Sequence, residues 1–197
     1  MDINIFSIII IIFILIISYR IYYNSDLFQL KCIISNIDGE EYCVRERNKL
    51  KLAADHLANV NKRLKLLIQY CVKEFPSKEC VIKMHKGYNP KKIMETLPTS
   101  KYTAYSQNKG EKIAFCLNKN KNNNEELIDM NTLIFVALHE LAHVATKSVG
   151  HTPEFWDNFK FLITQAEKIN IYKPINYKNN PQNYCDMKIT DSPYFDN

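Results

Sequence analysis

The segment 129–148 constrains this chain most strongly, because its central part, 133–145, is apolar on almost every face and still contains three ionisable side chains. A helix with that pattern must be buried. His139, Glu140 and His143 would then lie inside the protein, where a carboxylate without a partner is unfavourable. A bound metal ion would explain why such residues occur there, so we expect this helix to carry a metal site.

The spacing of the two histidines is that of one helical turn. His139 and His143 are four residues apart, so their imidazoles lie on one face of the helix. There they can offer two nitrogens to one Zn²⁺ ion at about 2.0–2.1 Å each. Glu140 lies beside them and can take a proton from a water molecule and pass it to a leaving amine. This is the HExxH arrangement, and the alternative for each candidate ligand is an ordinary core or surface histidine.

The sequence also indicates where this helix begins and ends. Asp129 or Asn131 can cap its N-terminus, and we expect it to end near Ser148. Gly150 follows, where a residue in the left-handed conformation reverses the chain. His151 comes next and is our candidate for a third metal ligand, the alternative being a surface histidine. Three protein ligands with one open position is the pattern of catalytic zinc, whereas structural zinc usually has four.

A second helix is predicted directly after His151. Thr152 can serve as its N-cap, Pro153 as its first residue, and Glu154 as an acidic residue in its first turn. Its apolar stripe would pack in the core and hold His151 in place. The stripe, with Trp156 at its flank, consists of Phe155, Phe159, Leu162, Ile163 and Ala166.

The N-terminal segment 3–19 is almost entirely apolar. As a helix it would span about 25 Å. Arg20 and the aromatic belt of Tyr19, Tyr22 and Tyr23 can extend that span to the membrane surface. We expect an uncleaved membrane anchor. A cleaved signal peptide would need a basic start and small residues at its cleavage site, but only Asp2 precedes the span. The other alternative is a buried hydrophobic helix, which is less favoured because a core helix rarely lacks any polar face.

The charges around this span predict its orientation. Lysines and arginines follow the span and none precedes it, so the positive-inside rule puts the C-terminal part on the cytoplasmic side. We therefore expect a single-pass membrane protein, with association with a virion left open. The expected organisation is an anchor over 1–23, a linker over 24–31 and one domain over 32–197. The basic residues concerned are Arg20, Lys31, Arg45, Arg47, Lys49 and Lys51.

Apolar periodicity and turn residues predict hairpins and helices between the anchor and the metal-site helix. Asp38 and Gly39 would form a two-residue turn, and Pro76 would end a long helix. The predicted elements are a hairpin over 32–44, a helix over 45–75, a shorter helix over 78–86, a hairpin over 101–117, an exposed loop over 118–124 and a mostly irregular tail over the last 25 residues.

The cysteines and the net charge limit the other classes of function. None of the six cysteines forms a CxxC pair, so a cysteine-based zinc site is not expected. Their even number would allow disulfides, but Cys71 and Cys116 lie in apolar segments, which favours reduced, buried thiols and a reducing compartment. The net charge of +5 is spread along the chain, which argues against direct nucleic-acid binding as a main role.

Several other polar residues are weaker candidates. We expect His56 and His85 to be ordinary surface or helix-end residues. Tyr102 and Tyr105 could polarise a substrate carbonyl, but structural packing is the favoured interpretation. Three residues of the C-terminal tail could approach the site, namely Tyr184, Cys185 and Asp186.

The sequence from His139 to His143, followed by Gly150 to Trp156, resembles the WLM family of zinc metallopeptidases, which are relatives of the SprT-like proteases. Further segments resemble the WLM-like proteins of large nucleocytoplasmic DNA viruses, so that the resemblance covers nearly all of 32–195. These segments are 37–39, 101–103, 108–112 and 188–193.

The resemblance implies an α+β, zincin-like fold with a small mixed or antiparallel sheet next to the active-site helix. It also implies Zn²⁺ at His139, His143 and His151, with Glu140 as catalytic acid and base. A protein or peptide substrate would be held in extended form by an edge strand, for which 112–117 is our candidate. Three hypotheses remain at this point: a zinc endopeptidase acting near a membrane, a membrane or virion protein that binds zinc without turnover, and a nucleic-acid-linked repair protease.

Overall fold

A computed structural model describes residues 4–25, 29–121 and 126–196 of this chain. The predicted α+β class is confirmed. Five α-helices are described: α1 (Ile5–Asn24), α2 (Leu50–Glu74), α3 (Glu79–Gly87), α4 (Met130–Ala145) and α5 (Pro153–Lys168). Seven strands are described: β1 (Lys31–Ile34), β2 (Glu41–Val44), β3 (Ile93–Glu95), β4 (Ala104–Gln107), β5 (Lys112–Phe115), β6 (Gln182–Tyr184) and β7 (Met187–Ile189).

The central sheet has three strands in the order β3-β5-β4. Strand β3 runs parallel to β5, with Ile93 opposite Ile113, and β4 runs antiparallel to β5, with Ala104 opposite Phe115. The predicted edge strand 112–117 is therefore wrong, because β5 has a neighbour on both sides. The edge strands of this sheet are β3 and β4. The sequence did not indicate this because the three-residue β3 gives no periodic signal.

Helix α4 lies at the centre of the main core, as its apolar sequence predicts. It packs against α2, α3 and α5, and its buried side chains include Leu133, Leu138 and Leu141. The side chain of Asp129 caps its N-terminus by accepting a hydrogen bond from the backbone N–H of Thr132 at 2.9 Å. This helix therefore forms a fixed support for the ionisable residues that it carries.

The predicted hairpins and helices are found with shifted ends. Strands β1 and β2 form the first hairpin, but its loop is longer than the two-residue turn expected at Asp38 and Gly39. Asp55 of α2 holds that loop by accepting hydrogen bonds from the Ser35 hydroxyl and the Asn36 backbone. Strands β4 and β5 form the second hairpin, and α3 corresponds to the predicted short helix.

A buried polar network explains why α2 begins at Leu50 and not at residue 45. The carboxylate of Glu95 accepts hydrogen bonds from the backbone N–H of Arg45 and from the guanidinium of Arg47. Arg47 also donates to the side chain of Asn118 at 2.7 Å. Asn118 is therefore buried, and the exposed loop predicted over 118–124 is wrong at its first residue, while residues 122–124 lie outside the described ranges.

The C-terminal segment is more regular than predicted. It stays irregular to residue 181, and then β6 and β7 form an antiparallel hairpin that is followed by a short 3-10 helix, Pro193–Phe195. Cys185, in the turn of this hairpin, forms a disulfide with Cys116. The expectation of a reduced Cys116 is therefore wrong, because periodicity predicts burial but not which distant residue lies opposite.

The other cysteines, all of which lie in the described residues, divide into a pair and two thiols. Cys32 and Cys43, which face each other across β1 and β2, form a second disulfide. Cys71 and Cys80 are buried and free, which agrees with the expectation for Cys71. Four of the six cysteines are thus paired, which weighs against the expected reducing compartment.

Helix α1 stands apart from this core. Its residues 5–23 are long and apolar enough to cross a membrane, and they are exposed along their length. Residues 1–3 of the predicted anchor and residues 26–28 of the predicted linker lie outside the described ranges. At the C-terminal end of α1, the Thr99 hydroxyl donates a hydrogen bond to the carbonyl oxygen of Tyr23 at 2.9 Å.

Candidate metal centre and active site

Three histidine side chains meet at one point on the surface of the core. One ring nitrogen from each of His139, His143 and His151 lies within 4.8 Å of the others. The three distances between ring centroids are 4.9, 4.9 and 5.0 Å, and the Nε2 atoms of His139 and His151 are 3.1 Å apart. Among the described residues, this is the group of three that could hold a metal ion.

Local sequence explains how His151 returns to the other two histidines. Gly150 has a φ of 85°, and this left-handed conformation turns the chain after α4. The Thr152 side chain then caps α5 by accepting from the backbone N–H of Phe155. Glu154 accepts hydrogen bonds from the backbone N–H groups of Lys147 and Ser148 and from the Ser148 hydroxyl. The connection between α4 and α5 is thereby fixed at both ends.

A single buried phenylalanine lies under all three imidazoles. The ring of Phe155 is 4.9 Å from that of His139, 4.4 Å from that of His143 and 4.7 Å from that of His151, measured between centroids. Phe155 is fully buried. The apolar stripe of α5 is therefore packed in the core as predicted, and it contacts all three histidines through Phe155.

His139 and His143 are suited to be neutral ligands. Burial, together with the neighbouring His143 and His151, lowers the pKa of His139 to about 3. Burial likewise lowers the pKa of His143 to about 4, with contributions from His151 and Lys109. Metal-binding imidazoles must be unprotonated. In a tetrahedral zinc site, bonds of about 2.0–2.1 Å put ligand nitrogens about 3.3 Å apart, close to the 3.1 Å between His139 and His151.

Glu140 is a buried carboxylate at the edge of this group. It is 4% exposed, and its Oε2 atom has no hydrogen-bond partner among the described residues. Burial raises the pKa of its carboxyl to about 8, although a hydrogen bond from the backbone of Ser106 opposes this. A neighbouring dication would lower that pKa again, because it favours the charged form. The residue is thus positioned to exchange a proton inside the site.

The site opens into a cleft of about 1010 Å³. The edge strand β4 forms one wall, and the connection between α4 and α5 forms the other, where Val149 is 87% exposed. Tyr102 and Tyr105 also line the cleft, with ring centroids 6.1 Å apart. Tyr102 is 66% exposed, so the structural packing that we favoured for it is wrong.

The remaining candidates lie outside the cleft. Tyr184 is buried behind β4, where its hydroxyl donates to the carbonyl oxygen of Thr103 and accepts from the backbone N–H of Cys116, both at 3.1 Å. It therefore supports the cleft wall without entering the cleft. The residues that do not line the cleft also include His56, His85, Cys185 and Asp186.

Lys109 is a residue of the site that our sequence reasoning missed. Its Nζ atom donates hydrogen bonds to the carbonyl oxygens of His143 at 3.2 Å, Thr146 at 2.7 Å and Ser148 at 2.8 Å. These carbonyls end α4 and begin the connection to His151. The one available signal was the lack of a C-terminal capping residue in α4, because Gly150 lies too far along to serve.

Comparison with known proteins gives a consistent result. The model of the WLM domain matches residues 72–193. An uncharacterized protein of Acanthamoeba polyphaga mimivirus is 34% identical over 159 residues, which are 79% of this chain and 80% of that protein. An uncharacterized protein of Invertebrate iridescent virus 6 is 37% identical over 78 residues, which are 38% of this chain and 41% of that protein. The crystal structure of Wss1 from Saccharomyces cerevisiae matches with a TM-score of 0.48 and 18% identity, covering 64% of this chain and 87% of that one.

Proposed function

This chain belongs to the WLM family, a family of zinc metallopeptidases, and on that premise we propose that it is a membrane-anchored zinc peptidase. In this proposal His139, His143 and His151 hold one Zn²⁺ ion, and Glu140 is the catalytic acid and base. The substrate is a protein or peptide. The observation that carries the proposal is the meeting of three imidazoles beside an unpartnered carboxylate in an open cleft.

The reaction is hydrolysis of a peptide bond by water. When bound, Zn²⁺ would lower the pKa of a water molecule and polarise the substrate carbonyl. Glu140 accepts a proton from the water as the oxygen attacks the carbonyl carbon, and it returns that proton to the amine nitrogen as the C–N bond breaks. The backbone of Ser106 keeps the carboxylate oriented towards the cleft while its Oε2 atom stays available.

Strand β4 is suited to hold the substrate. It is the edge of the sheet on the side of the cleft, since β5 pairs with its other side. An extended peptide can add to such an edge through backbone hydrogen bonds, which fix the scissile bond without requiring a particular side chain. Ser106 belongs to β4, and its backbone forms a hydrogen bond with Glu140. A peptide bound along β4 would therefore lie next to Glu140.

The proposal includes an anchor over 1–23, a linker over 24–31 and a peptidase domain over 32–197. The apolar helix α1 supports the anchor by its length and composition. The basic residues after α1 favour a cytoplasmic position for the peptidase domain. The two disulfides favour an oxidising environment, so the thiol state of the purified protein bears directly on this part of the proposal.

Cleavage of casein by the full chain tests the proposed activity. We expect zinc-dependent cleavage by the wild type, and a loss of at least about a hundredfold in Glu140→Gln, because general acid–base catalysis contributes about 10²- to 10⁴-fold. Glu41→Gln is the matched control, since Glu41 is exposed on β2 and lies outside the cleft. Equal cleavage by the wild type and Glu140→Gln would reject the peptidase and favour the alternative, a zinc-binding membrane or virion protein without turnover.

The same assay with added DNA addresses the third hypothesis. A nucleic-acid-linked repair protease would cleave faster with DNA, and this stimulation would fall steeply as salt is raised. We expect the rate to be independent of DNA, because the positive charge of the chain is not concentrated in one tract.

A further inference from the structure

The end of the membrane helix and the mouth of the cleft are joined by direct contacts. Thr99, which lines the cleft, donates its hydroxyl hydrogen bond to the carbonyl oxygen of Tyr23 at 2.9 Å. Next to this contact, the side-chain amide of Gln29 donates to the carbonyl oxygen of Tyr22 at 3.4 Å. The last turn of α1 is therefore tied to the segment 97–102, which forms one end of the cleft.

A small apolar cluster independently holds the segment that follows α1 close to the cleft. Leu30, which follows the anchor, is buried with Met94 of β3 and Ala114 of β5 on the outer face of the sheet. Leu97 and Tyr105 pack against this cluster, and both line the cleft. Leu30, seven positions after Tyr23, thus packs against the residues that form the cleft wall.

The distance from the anchor to the reacting groups is short. The seven residue steps from Thr99 to Ser106 can span at most about 25 Å, and Ser106 hydrogen bonds to Glu140 through its backbone. In an extended substrate, which rises about 3.3 Å per residue, this distance corresponds to about eight residues. Tyr19, Tyr22 and Tyr23 mark the level of the membrane interface, where such aromatic residues are enriched.

We propose that this chain cleaves membrane-anchored proteins within about ten residues of the bilayer, because its cleft is held at the membrane surface by the contacts of Thr99 and Leu30. This inference rests on the proposed peptidase activity and names its substrate class. The exposed Lys101 and Tyr102, at the anchor end of the cleft, are suited to lie among lipid headgroups, since lysine and tyrosine keep their polar ends in the interface. A substrate in the same membrane would enter the cleft from this end.

Two reporter proteins of equal composition test the inference. Each has one apolar membrane helix, the casein segment cut in the assay above, and a polyproline spacer of about 20 residues, which is roughly 60 Å long. In the near reporter the casein segment directly follows the membrane helix, and in the far reporter the spacer separates them. The full chain is reconstituted with either reporter in phosphatidylcholine vesicles containing zinc, and the cut positions are identified by mass spectrometry.

We expect the near reporter to be cleaved about tenfold faster than the far reporter. When enzyme and reporter share one membrane, the effective concentration at the cleft is high only for substrate segments close to the bilayer. In detergent micelles, with enzyme and reporter in separate micelles, the two rates should become equal. Equal rates in vesicles, or faster cleavage of the far reporter, would overturn the inference while leaving the peptidase proposal intact. Cleavage of both reporters by Glu140→Gln at the wild-type rate would instead show that the peptidase proposal itself is wrong.

Discussion

The Nζ atom of Lys109 lies 2.7 Å from the carbonyl oxygen of Thr146, at the point where α4 ends. The last carbonyls of a helix have no partner within the helix and carry partial negative charge, so a cation there is stabilising. Lys109 reaches this point from the turn between β4 and β5, and it also contacts the carbonyls of His143 and Ser148. One side chain thus connects the β4 wall of the cleft to the C-terminal end of α4, the helix that carries His139 and His143.

Replacing Lys109 by methionine should weaken zinc binding without removing a ligand. Loss of the three hydrogen bonds would free the connection that carries His151, and we expect an affinity about 5- to 10-fold lower, equivalent to about 1 kcal/mol. Competition with a chelator measures this affinity. Lys91→Met, at an exposed lysine, is the matched control and should bind as the wild type does. An unchanged affinity in Lys109→Met would mean that the other contacts of the connection, such as those of Glu154 and Asn158, are sufficient to hold it.

Replacing His151 by alanine tests the third ligand directly. We expect zinc content to fall from about one ion per chain to well below one after dialysis, because two imidazoles remain where a catalytic zinc site needs three protein ligands. Metal analysis of the purified full chain measures this. His85→Ala, at an exposed histidine of α3, should keep the full content. Undiminished zinc in His151→Ala would remove this residue from the site.

The connection between α4 and α5 should loosen in acid. Hydrogen bonds from the backbone of Lys147 and from Ser148 lower the pKa of Glu154 to about 2. A carboxyl whose pKa is lower in the folded than in the unfolded state stabilises the fold above its unfolded pKa of about 4.3, and this contribution is lost as the pH falls towards 2. The stability difference between the wild type and Glu154→Gln should therefore be present at pH 6 and shrink below about pH 4. An NMR titration midpoint near 4.3 for Glu154 would contradict this.

The two disulfides should contribute unequally to stability. In the chain-entropy model, Cys32–Cys43, with a separation of 11 residues, is worth about 3 kcal/mol, and Cys116–Cys185, with a separation of 69, about 4 kcal/mol. The double variant Cys116→Ser/Cys185→Ser should thus unfold at lower denaturant concentration than Cys32→Ser/Cys43→Ser. Alkylation in denaturant without reductant should label Cys71 and Cys80 alone. Labelling of all six cysteines would show that the protein is reduced.

A methyl group at Gly87 should disturb the packing behind the site. A Cβ atom there would overlap the carbonyl oxygen of Lys109 and lie 2.8 Å from Cγ1 of Val144. Overpacking of this kind lowers the free energy of unfolding by about 1–3 kcal/mol. We expect that loss for Gly87→Ala in chemical denaturation, compared with little change for Lys86→Ala at the exposed neighbouring residue. Equal stability of the two variants would show that the turn carrying Lys109 can shift.

The helices of this fold were predictable because their signals are local. The apolar faces of α4 and the Thr152–Pro153 start of α5 follow from neighbouring residues, and so does the one-turn spacing of His139 and His143. Strand β3 was not predictable, because its three residues are defined by pairing with β5 about twenty positions later. The same limit hid the pairing of Cys116 with Cys185.

The sequence predicts those parts of the site that depend on the spacing of side chains. It does not predict those parts that depend on contacts with main-chain atoms. The convergence of His151 with the other histidines followed from a turn and a cap. Lys109 binds backbone carbonyls, which every residue has, so the sequence gives no sign of it beyond the missing C-terminal cap of α4. The edge strand was misassigned for a related reason. Whether a strand lies at the edge of a sheet depends on which other strands form backbone hydrogen bonds with it.

The C-terminal hairpin has a consequence for how the protein matures. During synthesis, His139, His143 and His151 leave the ribosome well before Tyr184 and Cys185, which complete and lock the wall that carries β4. A nascent chain would therefore possess the three histidines but not the finished groove. On the proposed function, we expect the cleft to hold a peptide only after translation has passed the hairpin.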